Sequence, residues 1–190
     1  MPELFRSPET IQPSKLSFQP FQTDTKNILG FDCGNKELND FLCTEEVRKF
    51  NEEHLGRTTL VFYSGELVAY YTLSNSSLRK EYLQSYKSFS KMGEFKLEEF
   101  PSITIGRLAV DKRWQGKGIG RVIMQKIMVQ ALNSSESAGV RLLLVQAKQD
   151  AFDFYLKLGF EFVFDSKRER SRFKARGTRT LFFDIASLSE

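Results

Sequence analysis

A glycine-rich turn between a strand pattern and a long helical pattern is the feature that most constrains how this chain folds. Residues 115–120 read QGKGIG and follow an apolar run that ends at Val110. Over residues 118–134 apolar side chains recur every four positions, which predicts an amphipathic helix. Three glycines in six residues let the backbone N–H groups face one concavity, and the helix start adds unpaired donors and a positive dipole end. The segment, which we call the glycine turn, therefore predicts a site for phosphate or pyrophosphate.

The spacing of these glycines disfavours two common nucleotide sites. Glycines at 116, 118 and 120 do not fit the G-x-G-x-x-G fingerprint of dinucleotide binding, and the turn lacks the Gly-Lys-Ser/Thr ending of a Walker motif. Hydride transfer and nucleotide hydrolysis are therefore disfavoured. A bare tight turn before a helix uses similar residues, so this purely structural interpretation stays open.

Strand and helix patterns alternate along most of the chain. β-Branched and aromatic runs predict strands near residues 16–18 and at 57–63, 67–73, 102–110, 141–146, 160–164 and 180–185. Helical spacing predicts one or two helices over residues 32–50 and a short helix over 150–158, while residues 78–100 form a long connection without a clear period. We expect an α/β (α+β) fold with a mixed, mainly antiparallel sheet of six to seven strands flanked by helices. An N-terminal arm, residues 1–25, precedes a single domain, residues 26–190.

Composition favours a soluble globular protein. Of the 190 residues 41% are hydrophobic and 27% charged, and no stretch approaches the roughly 20 apolar residues that a membrane-spanning helix needs. The first 20 residues lack the apolar core of a signal peptide, so the expected location is the cytoplasm, with no membrane partner. Cys33, Cys43 and a single histidine form neither a disulfide framework nor a zinc site, so no metal is expected.

Positive charge is concentrated near the C-terminus. Net charge is +4, but residues 166–180 hold seven Lys or Arg against one acid, Glu169, so this segment carries +6 and the remainder −2. We interpret this segment as a solvated loop. The same charge would also suit the binding of a phosphate-rich partner. Phe173 could stack there on an unpaired base. The candidate nucleic-acid contacts are Lys167, Arg168, Arg170, Arg172, Lys174 and Arg176.

Two motifs resemble the GNAT superfamily of acetyl-CoA-dependent N-acetyltransferases. RLAVDKRWQGKGIG at residues 107–120 contains the family's Q/R-x-x-G-x-G/A motif, and AFDFYLKLGF at residues 151–160 contains its aromatic motif. The resemblance implies a GNAT-like fold, acetyl-CoA as cofactor and transfer of its acetyl group to a primary amine by direct attack. It implies acyl-arm contacts from Leu108, Ala109 and Val110. It implies pyrophosphate contacts from Gln115, Gly116, Lys117, Gly118, Ile119, Gly120 and Arg121.

Tyr155 is the candidate catalytic residue. Acetyl transfer needs a polarised carbonyl, a neutral amine and an acid for the departing thiolate, and the resemblance implies a phenol near the thioester sulfur. A packed aromatic side chain is the alternative interpretation. Many relatives carry Asn where Lys148 stands, which removes one expected cofactor contact. His54, Glu98 and Glu99 are candidate general bases, although an exposed surface position is the favoured interpretation of all three, and a bound amine near the surface can lose its proton to solvent without a dedicated base.

The acceptor stays open at the level of sequence. FDCGNKELNDFL at residues 31–42, IGRLAVD at 105–111 and VQAKQDAFDFY at 145–155 are similar to the TacT-type branch, toxins that acetylate the amino acid on charged tRNA. A tRNA acceptor would give the basic segment a role, because phosphate neutralisation supplies affinity without base readout. The main prediction is a small-molecule or protein amine as acceptor; the alternatives are the amino group of aminoacyl-tRNA and a catalytically silent acyl-CoA-binding regulatory module. A homodimer is compatible with each of them.

Overall fold

A computed structural model of the chain describes residues 11–22, 28, 30–83 and 96–188. The strands there are β1 (Leu16–Pro20), β2 (Arg57–Tyr63), β3 (Glu66–Arg79), β4 (Glu99–Val110), β5 (Leu142–Lys148), β6 (Glu161–Phe162) and β7 (Thr178–Asp184). The helices are α1 (Lys36–Cys43), α2 (Glu45–Glu52), α3 (Ile119–Ala138), α4 (Phe152–Leu156) and α5 (Lys167–Arg176). The strands form one mostly antiparallel sheet in the order β1-β2-β3-β4-β5-β7-β6, which confirms the expected fold class.

The described residues belong to two compact units. The first takes its residues from 1–74 and 105–127, and the second from 75–104 and 128–190. Part of the arm predicted over residues 1–25 and most of the connection predicted over 78–100 lie outside the described residues. Within the described part of that connection, β3 continues to Arg79 and a 3-10 turn covers Lys80–Leu83.

The first unit is built on the predicted hairpin. β2 and β3 pair antiparallel through the turn at Ser64 and Gly65, and β1 pairs with β2 in the register Leu16 to Tyr63. Pro20 ends β1, where its missing N–H is tolerated because this strand is at the edge of the sheet. The core beneath the hairpin is strongly apolar and includes Phe41, Leu42, Val47, Leu60 and Tyr70.

The helical pattern over residues 32–50 forms two helices because Thr44 interrupts it. Thr44 has extended backbone angles (φ −118°, ψ −179°), and its hydroxyl accepts the N–H of Glu46 at 3.3 Å, so it ends α1 and caps α2. Asn35 caps α1 in the same way, by accepting the N–H of Leu38 at 3.3 Å. Both caps are residue types that favour a helix start, so this break follows from local chemistry.

The second unit contains the antiparallel pairs β5–β7 and β6–β7. The first four residues of β5, Leu142 to Val145, are buried, which agrees with the apolar run in the sequence. The predicted strand over residues 160–164 is shorter than expected and covers only Glu161–Phe162. The predicted helix over 150–158 is a 3-10 turn, Gln149–Ala151, followed by α4.

The basic segment is a helix, so the prediction of a loop is wrong. Ser166 accepts the N–H of Glu169 at 3.2 Å and caps the N-terminus of α5, while Gly177 (φ 64°) ends the helix in the left-handed conformation. Apolar periodicity could not reveal this helix because Phe173 is its only large apolar residue. Its inner side is polar instead, since the carboxylate of Glu169 is 2% exposed and binds Arg172 and Thr180.

Candidate functional site

The glycine turn follows a short 3-10 turn at the end of β4. Asp111 starts this 3-10 turn, Lys112–Trp114, by accepting the N–H of Arg113 at 3.0 Å. Gly116 (φ 73°) and Gly118 (φ 85°) then adopt left-handed backbone angles, which L-residues rarely tolerate. α3 begins at Ile119, whose buried side chain fixes the helix start against the core.

Five consecutive N–H groups of this segment are available to a ligand. Among the described residues, none of the N–H groups of residues 116–120 donates a hydrogen bond within the chain. The N–H groups of Arg121 and Val122 instead bind the carbonyl of Gly118 at 3.1 and 3.2 Å, so the unpaired donors end where the helix ladder begins. A Cβ placed on Gly116 would meet no atom within 4 Å, so open space lies in front of the turn. This set of donors at a helix N-terminus fits a diphosphate.

Lys117 adds positive charge beside these donors. Its Nζ lies 4.6 Å from the centroid of the Trp114 ring, and that ring lies 5.0 Å from the ring of Tyr63 on β2. The aromatic pair therefore supports the lysine side chain, and its ammonium group favours an anion at the turn.

Gln115 has a positioning role within the chain. Its Nε2 donates to the carbonyls of Val110 and Cys33, both at 2.9 Å. The side-chain amide is therefore committed to the protein, which leaves the main chain of Gln115 for the predicted pyrophosphate contact. For Arg121 the main chain is engaged instead, because its N–H donates to the carbonyl of Gly118. The predicted pyrophosphate contact of Arg121 therefore requires its side chain.

Leu108, Ala109 and Val110 form the end of β4, directly before the glycine turn. Ala109 is buried, while Leu108 and Val110 are half-buried. The structure thus places the predicted acyl-arm residues and the predicted pyrophosphate residues next to one another in the first unit.

Asp111 is a buried carboxylate that the sequence analysis missed. It is 1% exposed and binds Arg113 through both carboxylate oxygens, at 2.9 and 3.1 Å. Burial by itself would raise the pKa of Asp111, but hydrogen bonds from Arg113 and from the N–H of Asp32 outweigh it and hold the pKa below its ordinary value. Asp111 is therefore ionised at neutral pH.

Tyr155 lies on α4 in the second unit. Its side chain is 5% exposed and packs edge-on against the rings of Phe154 and Phe160, at 5.1 and 5.4 Å. A tyrosine is already protonated at neutral pH, and burial raises the pKa of this phenol further, so Tyr155 holds the proton that a donor needs. Gly159 (φ 85°) turns the chain after α4 so that the N–H of Phe160 donates to the carbonyl of Tyr155 at 3.1 Å.

The three candidate bases are all exposed side chains. His54 follows α2, is exposed, and has its Nδ1 3.5 Å from Nη2 of Arg57. Glu98 lies directly before β4 and Glu99 is its first residue, and both are exposed residues of the second unit. The Ser77 hydroxyl donates a hydrogen bond to the Glu99 carboxylate. Each of these side chains thus has a surface environment within its own unit.

The basic residues of α5 divide into two groups. Arg172 donates hydrogen bonds to the buried carboxylate of Glu169 and to the hydroxyl of Thr180. Nη1 of Arg170 lies 3.7 Å from Oδ2 of Asp165. Among the described residues the others have no ion pair and are exposed: Lys167, Arg168, Lys174 and Arg176. The predicted nucleic-acid contacts are therefore not equivalent, since Arg172 stabilises the fold.

The described part of the chain contains no group of three or more His, Cys, Asp and Glu side chains arranged to hold a metal ion. No helix among these described residues has the length and apolar content that a bilayer crossing requires.

Residues 57–162, more than half of the chain, match the profile of the acetyltransferase (GNAT) domain. A tRNA-acetylating toxin of Mycobacterium tuberculosis is 25% identical over 140 residues, which are 73% of this chain and 81% of that protein. The structure of AtaT complexed with acetyl-methionyl-tRNAfMet is similar with a TM-score of 0.75 and 27% identity, over 92% of this chain and 97% of that one. The structure of AtaTR bound with AcCoA has a TM-score of 0.72 and 28% identity, over 93% and 97% of the two chains. The chain thus belongs to the GNAT acetyltransferase family and is an acetyl-CoA-dependent acyltransferase.

Proposed function

We propose that this acetyltransferase transfers the acetyl group of acetyl-CoA to the amino group of an aminoacyl-tRNA. The observation that carries the proposal is the combination of the GNAT domain with an exposed basic helix, α5, in a chain similar to a tRNA-acetylating toxin and to AtaT complexed with acetyl-methionyl-tRNAfMet. A small-molecule acceptor would not require a helix with this charge.

The outer face of α5 suits a polyphosphate chain. Lys167, Arg170 and Lys174 are spaced three and four residues apart, so they share one helix face, while Glu169 lies on the opposite, buried side. Basic side chains on such a face neutralise RNA phosphates and release the counterions condensed around the RNA, which supplies affinity that does not depend on base identity. Phe173, 38% exposed, offers a ring on which an unpaired base can stack.

Binding of the cofactor and donation of the proton fall to different residues. Bound acetyl-CoA supplies an acyl thioester. The N–H groups of residues 116–120 bind its diphosphate, which positions the thioester along the end of β4. As the amine nitrogen forms its bond to the carbonyl carbon and the C–S bond breaks, the Tyr155 hydroxyl gives its proton to the thiolate. The amine loses its proton to solvent, and solvent returns a proton to the Tyr155 phenolate before the next turnover.

Release of free thiol from acetyl-CoA tests the proposal directly. We expect release with aminoacyl-tRNA, and none with the same tRNA uncharged or with aminoacyl-tRNA whose amino group is already acetylated. Turnover only with polyamines or peptide amines would replace tRNA by another acceptor. Binding of acetyl-CoA without turnover in any of these reactions would favour a catalytically silent module.

Removing charge from the outer face of α5 should weaken tRNA binding without unfolding the protein. We expect Lys167→Gln with Lys174→Gln to lower the affinity for tRNA and to reduce the slope of log Kd against log salt by about one for each lost phosphate contact. Filter binding of tRNA between low and moderate salt measures both quantities.

Lys15→Gln is the matched control, because Lys15 is an exposed lysine outside α5. Arg172 is unsuitable for this test, since its loss leaves the buried Glu169 carboxylate without its charged partner. An unchanged salt slope in the double variant would remove α5 from the RNA-binding surface.

A further inference from the structure

We propose that Asp32 is a positioning residue for the binding of acetyl-CoA. Asp32 acts through the loop of residues 31–35 before α1, which holds the glycine turn in its binding conformation. We call residues 31–35 the anchor loop. The inference rests on the diphosphate-binding role of the glycine turn within the proposed function, and it is independent of the acceptor.

Four hydrogen bonds join the anchor loop to the segment that leads into the glycine turn. Lys112 donates its N–H to the carbonyl of Asp32 at 2.8 Å, and Asp32 donates its own N–H to Oδ2 of Asp111 at 3.2 Å. Gln115 Nε2 donates to the carbonyl of Cys33 at 2.9 Å, and Nζ of Lys112 binds Oδ2 of Asp32 at 2.9 Å. The partners are about 80 residues apart in sequence, so this contact exists only in the folded protein.

The carboxylate of Asp32 organises the anchor loop itself. Its Oδ1 accepts the N–H of Gly34 at 2.8 Å and Nδ2 of Asn39 at 2.7 Å, while its Oδ2 binds Lys112. Asn39 in turn accepts the N–H of Cys33 at 3.0 Å, which ties the loop to α1. Both oxygens of Asp32 are thus engaged in orienting neighbours, although the side chain is about half exposed.

Close packing shows that the loop and the turn segment fit one another. Gly34 has a positive φ of 86°, and a Cβ there would lie 2.9 Å from Cε of Lys112. A residue with a side chain at position 34 would therefore displace the lysine that pairs with Asp32. The glycine allows the approach that the ion pair needs.

A physical reason connects this contact to cofactor affinity. The N–H groups of residues 116–120 have no partner inside the described chain, so nothing within the turn itself selects one conformation. Ordering such a turn on binding would cost conformational entropy, and a turn held in place beforehand avoids that cost. Asp32 and Gln115 fix the residues that precede the glycine turn, and the buried side chain of Ile119 fixes the start of α3 after it.

Calorimetric titration with acetyl-CoA tests the role of Asp32. We expect Asp32→Asn and Lys112→Met to raise the Kd for acetyl-CoA about ten-fold each, the effect of losing one hydrogen bond to a charged group. In steady-state kinetics KM for acetyl-CoA should rise similarly, with kcat within about two-fold of wild type and KM for the acceptor unchanged. The double variant should lose less than the product of the two single effects, because both remove the same ion pair.

The matched control is Asp40→Asn, an exposed carboxylate on α1 that pairs with Lys36 and has no bond to the turn segment. It should leave the Kd unchanged. Hydrogen exchange supplies a second measurement, in which the amides of residues 116–120 should exchange faster in unliganded Lys112→Met than in wild type. Lys112 is more than half exposed, so this variant is expected to fold.

Acid titration separates the Asp32 contribution from other effects. The hydrogen bond from Lys112, with those from Gly34 and Asn39, lowers the pKa of Asp32 to about 2. The carboxylate therefore contributes stability that is fully present above the unfolded pKa of about 3.9 and is lost as pH falls through about 2. The difference in thermal midpoint between wild type and Asp32→Asn should be constant above pH 4 and shrink below it.

The possible results are distinct. Wild-type protein that does not bind acetyl-CoA would overturn the proposed function, and the inference with it. Wild-type binding with an unchanged Kd in both Asp32→Asn and Lys112→Met would overturn the inference alone. Reduced stability without a raised Kd would make the anchor loop a purely structural feature, which also overturns it.

Discussion

Tyr155→Phe is expected to slow acetyl transfer by roughly a hundred-fold, the usual contribution of a positioned general acid. The substitution removes the hydroxyl that would protonate the departing thiolate and keeps the ring that packs against Phe154 and Phe160. Acetyl-CoA affinity and the thermal midpoint should therefore change little. Single-turnover transfer, measured beside calorimetry of acetyl-CoA binding, separates these quantities.

The pH profile gives an independent check on the role of Tyr155. Burial raises the pKa of the phenol, so the proton donor should persist to high pH and cause no falling limb below about pH 10. Tyr82→Phe is the matched control, because Tyr82 is another buried tyrosine of the second unit. Equal rates for wild type and Tyr155→Phe would leave Tyr155 as a packing residue.

Gly118→Val should lower the affinity for acetyl-CoA by about a hundred-fold or more, as expected when one or two hydrogen bonds to a charged group are lost. Gly118 has a φ of 85°, where a β-branched residue is strained, and the N–H groups on both sides of it belong to the predicted diphosphate site. A shift of this backbone misdirects the donors. Calorimetry with acetyl-CoA measures the loss.

Gly139→Val supplies the matched control for strain. Gly139 also has a positive φ, 71°, and lies just after α3, where a Cβ meets no atom within 4 Å. Both variants should lose about 1–2 kcal/mol of unfolding free energy through the left-handed backbone. Only Gly118→Val should lose acetyl-CoA affinity, and a similar loss in both would exclude a specific role for the turn.

Much of the fold was predictable because its signals are local. Alternation and β-branched residues predicted β2 with its exact bounds, Arg57–Tyr63, and the short glycine loop predicted the hairpin to β3. Helical spacing predicted α3 over most of its length, Ile119–Ala138. Thr44, a favourable helix cap, explains why the pattern around residue 44 divides into two helices.

α5 was not predictable from its own residues, because its inner face is made of charges. Glu169 can be buried only since Arg172, the Thr180 hydroxyl and the Thr180 N–H all bind its carboxylate. Thr180 belongs to the next strand, so the partner that makes this helix stable lies outside it. Periodicity of apolar residues carries no information about such a contact.

The amino-acid sequence by itself determined the strand, glycine turn and helix that form the candidate cofactor site, because these features depend on neighbours within a few residues, where propensity and the glycine φ preference act. The candidate tyrosine, Tyr155, was identified through the resemblance of its motif to the GNAT superfamily. The tertiary structure alone decided that Gln115 and Asp32 anchor the turn, that Arg172 stabilises α5, and that Tyr155 is buried, which raises the pKa of its phenol. Each of those depends on residues that are distant along the chain, or on burial, which only folding creates.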